Sequence, residues 1–183
     1  MQKCIEVQLN YSEDQIKLVE KNTQAQLKGA GFFKHCAGRI GASVNDAVSH
    51  ANLSQPSQSL IKTICYPSLN KINTKAIRHD CKHEGAAIKA YETVMKKSHV
   101  NFRVKKCGLF INKDYPFLHA TPFCIHDANF EEYVRLKNSC LVFKLKRENN
   151  YYHQTQQQLF TLKDSRHNDF VVYAVDQNGN AHW

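Results

Sequence analysis

The chain has 183 residues, of which 42% are apolar, with seven glycines and four prolines. That length suits one domain with a core of its own, and the composition argues against a disordered or low-complexity chain. A formal net charge of +9 points to a polyanionic partner, nucleic acid before a membrane surface, and no apolar run reaches the ~18 residues that a membrane-spanning helix needs.

The positive charge is clustered at Lys96-Lys97, at Arg103, Lys105 and Lys106, and at Lys144, Lys146 and Arg147. Any one such run is more often a solvated face than a binding site. Seven cysteines, at 4, 36, 65, 81, 107, 124 and 140, form no Cys-x-x-Cys pair. The first residues, Met1-Gln2-Lys3-Cys4-Ile5-Glu6, lack an apolar signal core. An intracellular setting with reduced thiols is therefore expected, nucleus or cytoplasm left open. The pairs Cys81/His83 and Cys124/His126 do not have zinc-finger spacing.

In chain order, Ile5, Val7 and Leu9 alternate as in a short strand, or belong to a disordered lead over 1–10. Ser12 with Gln15 makes a capping box, and the helix it opens is expected to run on through Ile16 and Val19 to Gly29 and Gly31. Read from the residues alone, Ser43 is placed to cap a helix over 44–51. A helix over 57–66 carries Leu60, Ile61 and Ile64 and stops at Pro67. Thr74 is placed to cap the next helix, in which Ala87, Ile88 and Tyr91 share a face and Glu84 lies one turn before it.

Residues 100–106 alternate Val100, Phe102 and Val104 with Arg103 and Lys105, as in a strand with one wet, basic face. A buried strand over 107–111, a turn over 112–116 and a return to the core over 117–121 follow. Asn129 caps a short helix, and a short strand is expected over 140–145. The polar helix from Asn150 should turn Tyr152, Leu159 and Phe160 to the core. A buried strand over 169–175 leads into an Asn178-Gly179 turn.

Several strings, taken together and in order, resemble one family. They are Phe32-Phe33-Lys34 with Gly38-Arg39-Ile40-Gly41-Ala42-Ser43, then His83-Glu84, then Gly108-Leu109-Phe110-Ile111. Tyr115-Pro116-Phe117-Leu118 with Ala120-Thr121-Pro122, and Tyr151-Tyr152 with Gln154, Gln156 and Gln158-Leu159, complete the set. They look like the YqaJ-like viral recombinase and phage-type exonuclease family of the PD-(D/E)xK nuclease superfamily, and cover most of the chain. The resemblance implies an α/β fold with a restriction-endonuclease-like core, a small mixed sheet flanked by helices, as one domain over 1–183 with more chain beyond Trp183.

It also implies roles. Glu84 would help hold a catalytic Mg²⁺ or Mn²⁺; Gln154 and Gln156 would lie beside the active site; Arg39, Ser43 and Thr121 would contact DNA phosphate. The partner would be DNA, as linear duplex ends, and family members are often oligomers. The chain departs from the pattern in three places. Cys36 and Gly41 stand where Arg and Thr are usual. Thr121-Pro122 is followed by Phe123-Cys124-Ile125-His126 where the family has Asp and then a hairpin ending in Glu-x-Lys. The expectation is thus a shortened central hairpin and a DNA-binding domain with impaired catalysis. The alternatives are an active exonuclease using other carboxylates, such as Asp114 or Asp127, and a splice or gene-model product of an active parent.

Overall fold

A computed structural model describes residues 9–26, 29, 31–69, 75–97, 99, 102–122, 124–126, 145–172, 174–175 and 181–182. The expected lead strand at Ile5 and Val7, the Thr74 cap, the Asn129 helix, most of the 140–145 strand and the Asn178-Gly179 turn lie outside these residues. The chain divides into two compact units. The first comprises Met1–Lys71, Lys106–Phe123 and Lys144–Arg166, and the second Ile72–Lys105, Cys124–Phe143 and His167–Trp183.

The first unit opens with α1 (Glu13–Asn22), capped as the sequence requires. The Ser12 N–H donates to Gln15 Oε1 (2.8 Å) and the Gln15 N–H to Ser12 Oγ (3.3 Å), while Glu13 and Asp14 place negative charge at the positive end of the helix dipole. The helix stops at Thr23 and does not reach Gly29. The Thr23 hydroxyl donates to the Val19 carbonyl (2.6 Å) and accepts from the Leu109 N–H (2.8 Å), and Glu20 Oε1 accepts from the Gly108 N–H (2.9 Å). These contacts also correct the expected strand over 107–111. Cys107, Gly108 and Leu109 are buried, yet side chains of α1 satisfy the Gly108 and Leu109 N–H groups, and only Phe110–Ile111 (β3) is strand. A Cβ on Gly108 would overlap the Glu20 carbonyl, so the close approach needs glycine.

Val19, Phe32, Cys36, Leu109 and Ile111 form the core of this unit, with Tyr11, Ile16 and Phe33 packed against it. Phe32 and Cys36 come from the short α2 (Phe32–Cys36). Next come β1 (Ile40–Gly41), a 3-10 turn at Ala42–Val44, α3 (Asn45–Ser49) and α4 (Gln58–Cys65). The helix expected over 57–66 is present as α4, and Ser57 caps it by accepting from the Leu60 N–H (3.3 Å). Ser43 is no cap: it lies inside the 3-10 turn, and Val44 occupies the cap position of α3 without a side-chain bond.

Strand β4 (Leu118–Ala120) is the centre of a three-stranded sheet in the order β1-β4-β3. It runs parallel to β1 (Ile40↔Leu118, Gly41↔His119) and antiparallel to β3 (Phe110↔Ala120, Ile111↔His119). Asn112 makes the turn from β3, its Oδ1 accepting from the N–H groups of Asp114 and Tyr115, both at 3.0 Å. Phe117, expected to return to the core, is 43% exposed. The polar helix is the sixth, α6 (Asn150–Thr161), with the Asn149 side chain accepting from the Tyr151 N–H (2.9 Å). Helix α1 packs on β3 and α6 on β4, so this unit is a small mixed sheet flanked by helices.

The buried side chains of α6 are Thr155, Gln157 and Thr161, while Tyr152 and Leu159 are half-buried and Phe160 is 51% exposed. The expected apolar face is thus partly displaced. The helix sits over a strand pair whose carbonyls need donors, and a glutamine supplies them.

The second unit contains α5 (Lys75–Met95), on which Ala87, Ile88 and Tyr91 are half-buried. Phe102, 1% exposed, packs its ring against those of Tyr91 and His99, each with a centroid separation of 5.8 Å. The Tyr91 hydroxyl donates to Asp169 Oδ2. Strands β2 (Val104–Lys106) and β5 (Cys124–His126) pair; Arg103 and Lys105 are exposed and Phe102 and Val104 buried or half-buried, as alternation predicts, while the strand is shorter than expected and Lys106, on the apolar parity, is exposed too. The expected strand over 169–175 is reduced to β6 (Ala174–Val175), antiparallel to β7 (Ala181–His182). Phe170, Val171 and Val172, expected to be buried, are 41%, 40% and 62% exposed. No helix among the described residues is long and apolar enough to cross a membrane.

Candidate nucleic-acid interface

Because β1 and β4 are parallel and in register, their C-terminal ends emerge on one edge of the first unit. Beyond β1 comes the turn holding Ser43, and beyond β4 comes Thr121. Helix α6 packs against that turn, α3 and β4, bringing the glutamine stretch to the same edge. The join is specific: Gln157 Nε2 donates to the carbonyls of Ile40 (2.8 Å) and His119 (3.0 Å), bridging two neighbouring parallel strands with one amide. Carboxyl ends of parallel strands are where α/β sheets hold ligands.

His119 fills the space that Gly41 leaves open. A Cβ on Gly41 would come within 2.9 Å of the His119 Cε1 and Nε2 atoms. Burial, and then the Arg39 charge, push the His119 imidazole down to about 4, so it is neutral at pH 7. On the other side of the edge the Pro122 carbonyl accepts from Gln26 Nε2 and from the Cys107 thiol, both at 3.1 Å. The chain is thus pinned at the position after which the family's Asp would follow.

The residues singled out from the sequence separate into groups. Ser43 is exposed and Thr121 half-buried at the shared edge, and Gln154 is half-buried on α6. Gln156 points outward and is exposed; the inward glutamine is Gln157, 4% exposed. Arg39 is 2% exposed. Its Nε, Nη1 and Nη2 donate to the carbonyls of Pro116, His35 and Leu9, each at 2.9 Å, and its guanidinium lies 5.0 Å from the Tyr11 ring centroid. In this conformation the group that resemblance assigns to phosphate is turned inward and ties the segment before β1 to the turn before β4.

Glu84 belongs to the second unit, half-buried on α5, and makes no ion pair among the described residues. A Mg²⁺ site wants oxygen ligands from two or more side chains. Among the described residues no group of three or more His, Cys, Asp or Glu side chains is arranged to hold a metal. Asp114 is ion-paired with Lys163, whose hydrogen bond holds its carboxyl below the usual range, and Asp127 lies outside the described residues. Of the cysteines, Cys36 and Cys107 are buried free thiols and Cys65 is an exposed one; burial pushes Cys36 up to about 12, leaving it inert at pH 7.

Sequence reasoning misses three features of this edge: Gln157, the Gly41/His119 fit, and the pairing of Asp46 with His50 and His153. The helical period gives a signal for the first, since the residue three after Gln154 shares its side of the helix. The i,i+4 spacing likewise signals Asp46 with His50, whereas no local pattern signals the approach of His153 or the Gly41/His119 fit. The chain matches no family model, no curated protein and no solved structure.

Proposed function

We propose that this chain is a DNA-binding domain of the nuclease type that its motifs resemble, on a restriction-endonuclease-like core, with impaired phosphodiester-cleaving chemistry. One observation carries the reading. The Ser43 turn, Thr121 and the helix of Gln154 come from three distant parts of the sequence, and all meet at one end of the β1–β4 pair. Their chemistry suits a phosphodiester backbone: hydroxyls and an amide can each donate to phosphate oxygens, and the chain's net charge of +9 attracts the polyanion. Arg39 serves the edge from behind, as the strut that holds its two approaches together.

Hydrolysis in this superfamily depends on an Asp and a Glu-x-Lys that gather metal and water. Here Pro122 is followed by Phe123 and Cys124. Glu84, the remaining carboxylate of the pattern, would hold Mg²⁺ or Mn²⁺ only with partners that this chain does not place after Pro122. The partner in this reading is duplex DNA, bound through its backbone near an end.

The test is fluorescence anisotropy with a 5′-phosphorylated linear duplex between 50 and 200 mM salt. The affinity should fall as salt rises, with log K linear in log[salt], and the double variant Ser43→Ala/Gln154→Ala should bind about tenfold more weakly, as expected for losing one or two phosphate contacts. Absent or salt-insensitive binding would remove the nucleic-acid reading.

A further inference from the structure

Two histidines from different elements close on a single carboxylate beside this edge. Asp46 Oδ1 lies 3.4 Å from His50 Nδ1, one turn on in α3, and 3.4 Å from His153 Nε2 on α6. The two imidazole rings stand edge to face with centroids 6.0 Å apart. Asn45 Nδ2 donates to the His153 carbonyl (3.5 Å), a second tie between the same helices. The side chains of Asp46 and His153 are 32% and 27% exposed and that of His50 71%, so solvent protons and a ligand reach all three.

The cluster has little competing charge. The 3-10 turn Ala42–Val44 and β1, which pack on α3, carry no ionisable side chain. Helix α6 adds only Tyr151 and Tyr152, and β4, packed under α6, adds the buried, neutral His119. One carboxylate with two neutral imidazoles carries −1; protonating both gives −1 + 2 = +1. The change falls three residues from Ser43 and one from Gln154.

Resting on the DNA-binding reading above, we propose that Asp46, His50 and His153 are a proton-controlled part of that edge, which holds backbone phosphate more tightly as pH falls through the imidazole range and releases it as pH rises. Imidazole is the side chain whose ordinary titration lies between pH 5 and 8. The sign follows from Coulomb attraction: each proton taken up adds positive charge facing a polyanion, and bound DNA in turn favours uptake. Asp46 is the opposing charge: with neutral imidazoles beside it, its carboxylate repels phosphate.

The experiment measures binding of a 5′-phosphorylated duplex at pH 5.5, 6.5, 7.5 and 8.0 at fixed ionic strength, with imidazole titration by NMR on the same proteins. Between pH 8.0 and 5.5 the wild-type protein should gain about tenfold more affinity than His50→Gln/His153→Gln, and its salt slope should steepen by about 1 to 2 where the variant's does not. Asp46→Asn should bind more tightly at pH 8.0. Equal pH dependence in wild type and double variant would overturn the proposal, as would unchanged affinity of Asp46→Asn at pH 8.0. Wild-type protein that binds at no pH would instead bring down the DNA-binding reading itself.

Discussion

Gly41 and His119 share one space at the residue scale, and each makes sense only beside the other. Gly41→Ala should cost about 1–3 kcal/mol by overpacking against the imidazole, and His119→Ala should relieve most of that cost in the double variant. Chemical unfolding of the four proteins of the cycle checks this; an additive pair would refute the contact. The same imidazole makes stability depend on pH. Its folded value of about 4 lies below its ordinary 6.5, so the unfolded chain binds the proton first. The stabilising contribution is therefore complete above about pH 6.5 and is lost as pH falls toward 4, by on the order of 3 kcal/mol in all. Unfolding curves over that range should show this slope, and His119→Gln should flatten it. Arg39 is a third residue whose role packing decides. Arg39→Lys leaves at least two of the carbonyls of Pro116, His35 and Leu9 without their present donor and should destabilise the protein by about 1–3 kcal/mol per carbonyl left buried and unpaired. A drop in DNA affinity with unchanged stability would show the reverse, that Arg39 touches phosphate.

Element boundaries show which parts of the fold are written locally. The Ser12/Gln15 capping box involves residues three apart, so the sequence alone reveals it. Ser12→Ala should cost about 1 kcal/mol. The end of α1 was not legible, because Thr23 stops the helix while receiving the N–H of Leu109, 86 residues away. Thr23→Val keeps the shape and removes that acceptor; a loss of about 1–3 kcal/mol in an unfolding titration is expected, larger than for Ser12→Ala. The same long-range contact explains why 107–109 is buried without being strand: side chains of α1 stand in for a neighbouring strand. Likewise the polar character of α6 was plain, while its buried face was not. Hydrophobicity selects Phe160, but the carbonyls of Ile40 and His119 select Gln157.

For the whole molecule, charge and order of motifs were readable from the sequence, and their convergence was not. Ser43, Thr121 and Gln154 are brought to one edge by the parallel pairing of β1 with β4 and by α6, contacts that no local pattern specifies. Glu84 lies in the second compact unit, and the Asp and Glu-x-Lys that would make it part of a metal site are missing after Pro122. In the function proposed above, the chain binds DNA and its cleavage chemistry is impaired. The direct measurement is digestion of a 5′-phosphorylated linear duplex with Mg²⁺ or Mn²⁺, under conditions where anisotropy shows the duplex bound. The account predicts intact, bound DNA after prolonged incubation; metal-dependent degradation that Glu84→Ala abolishes would contradict it.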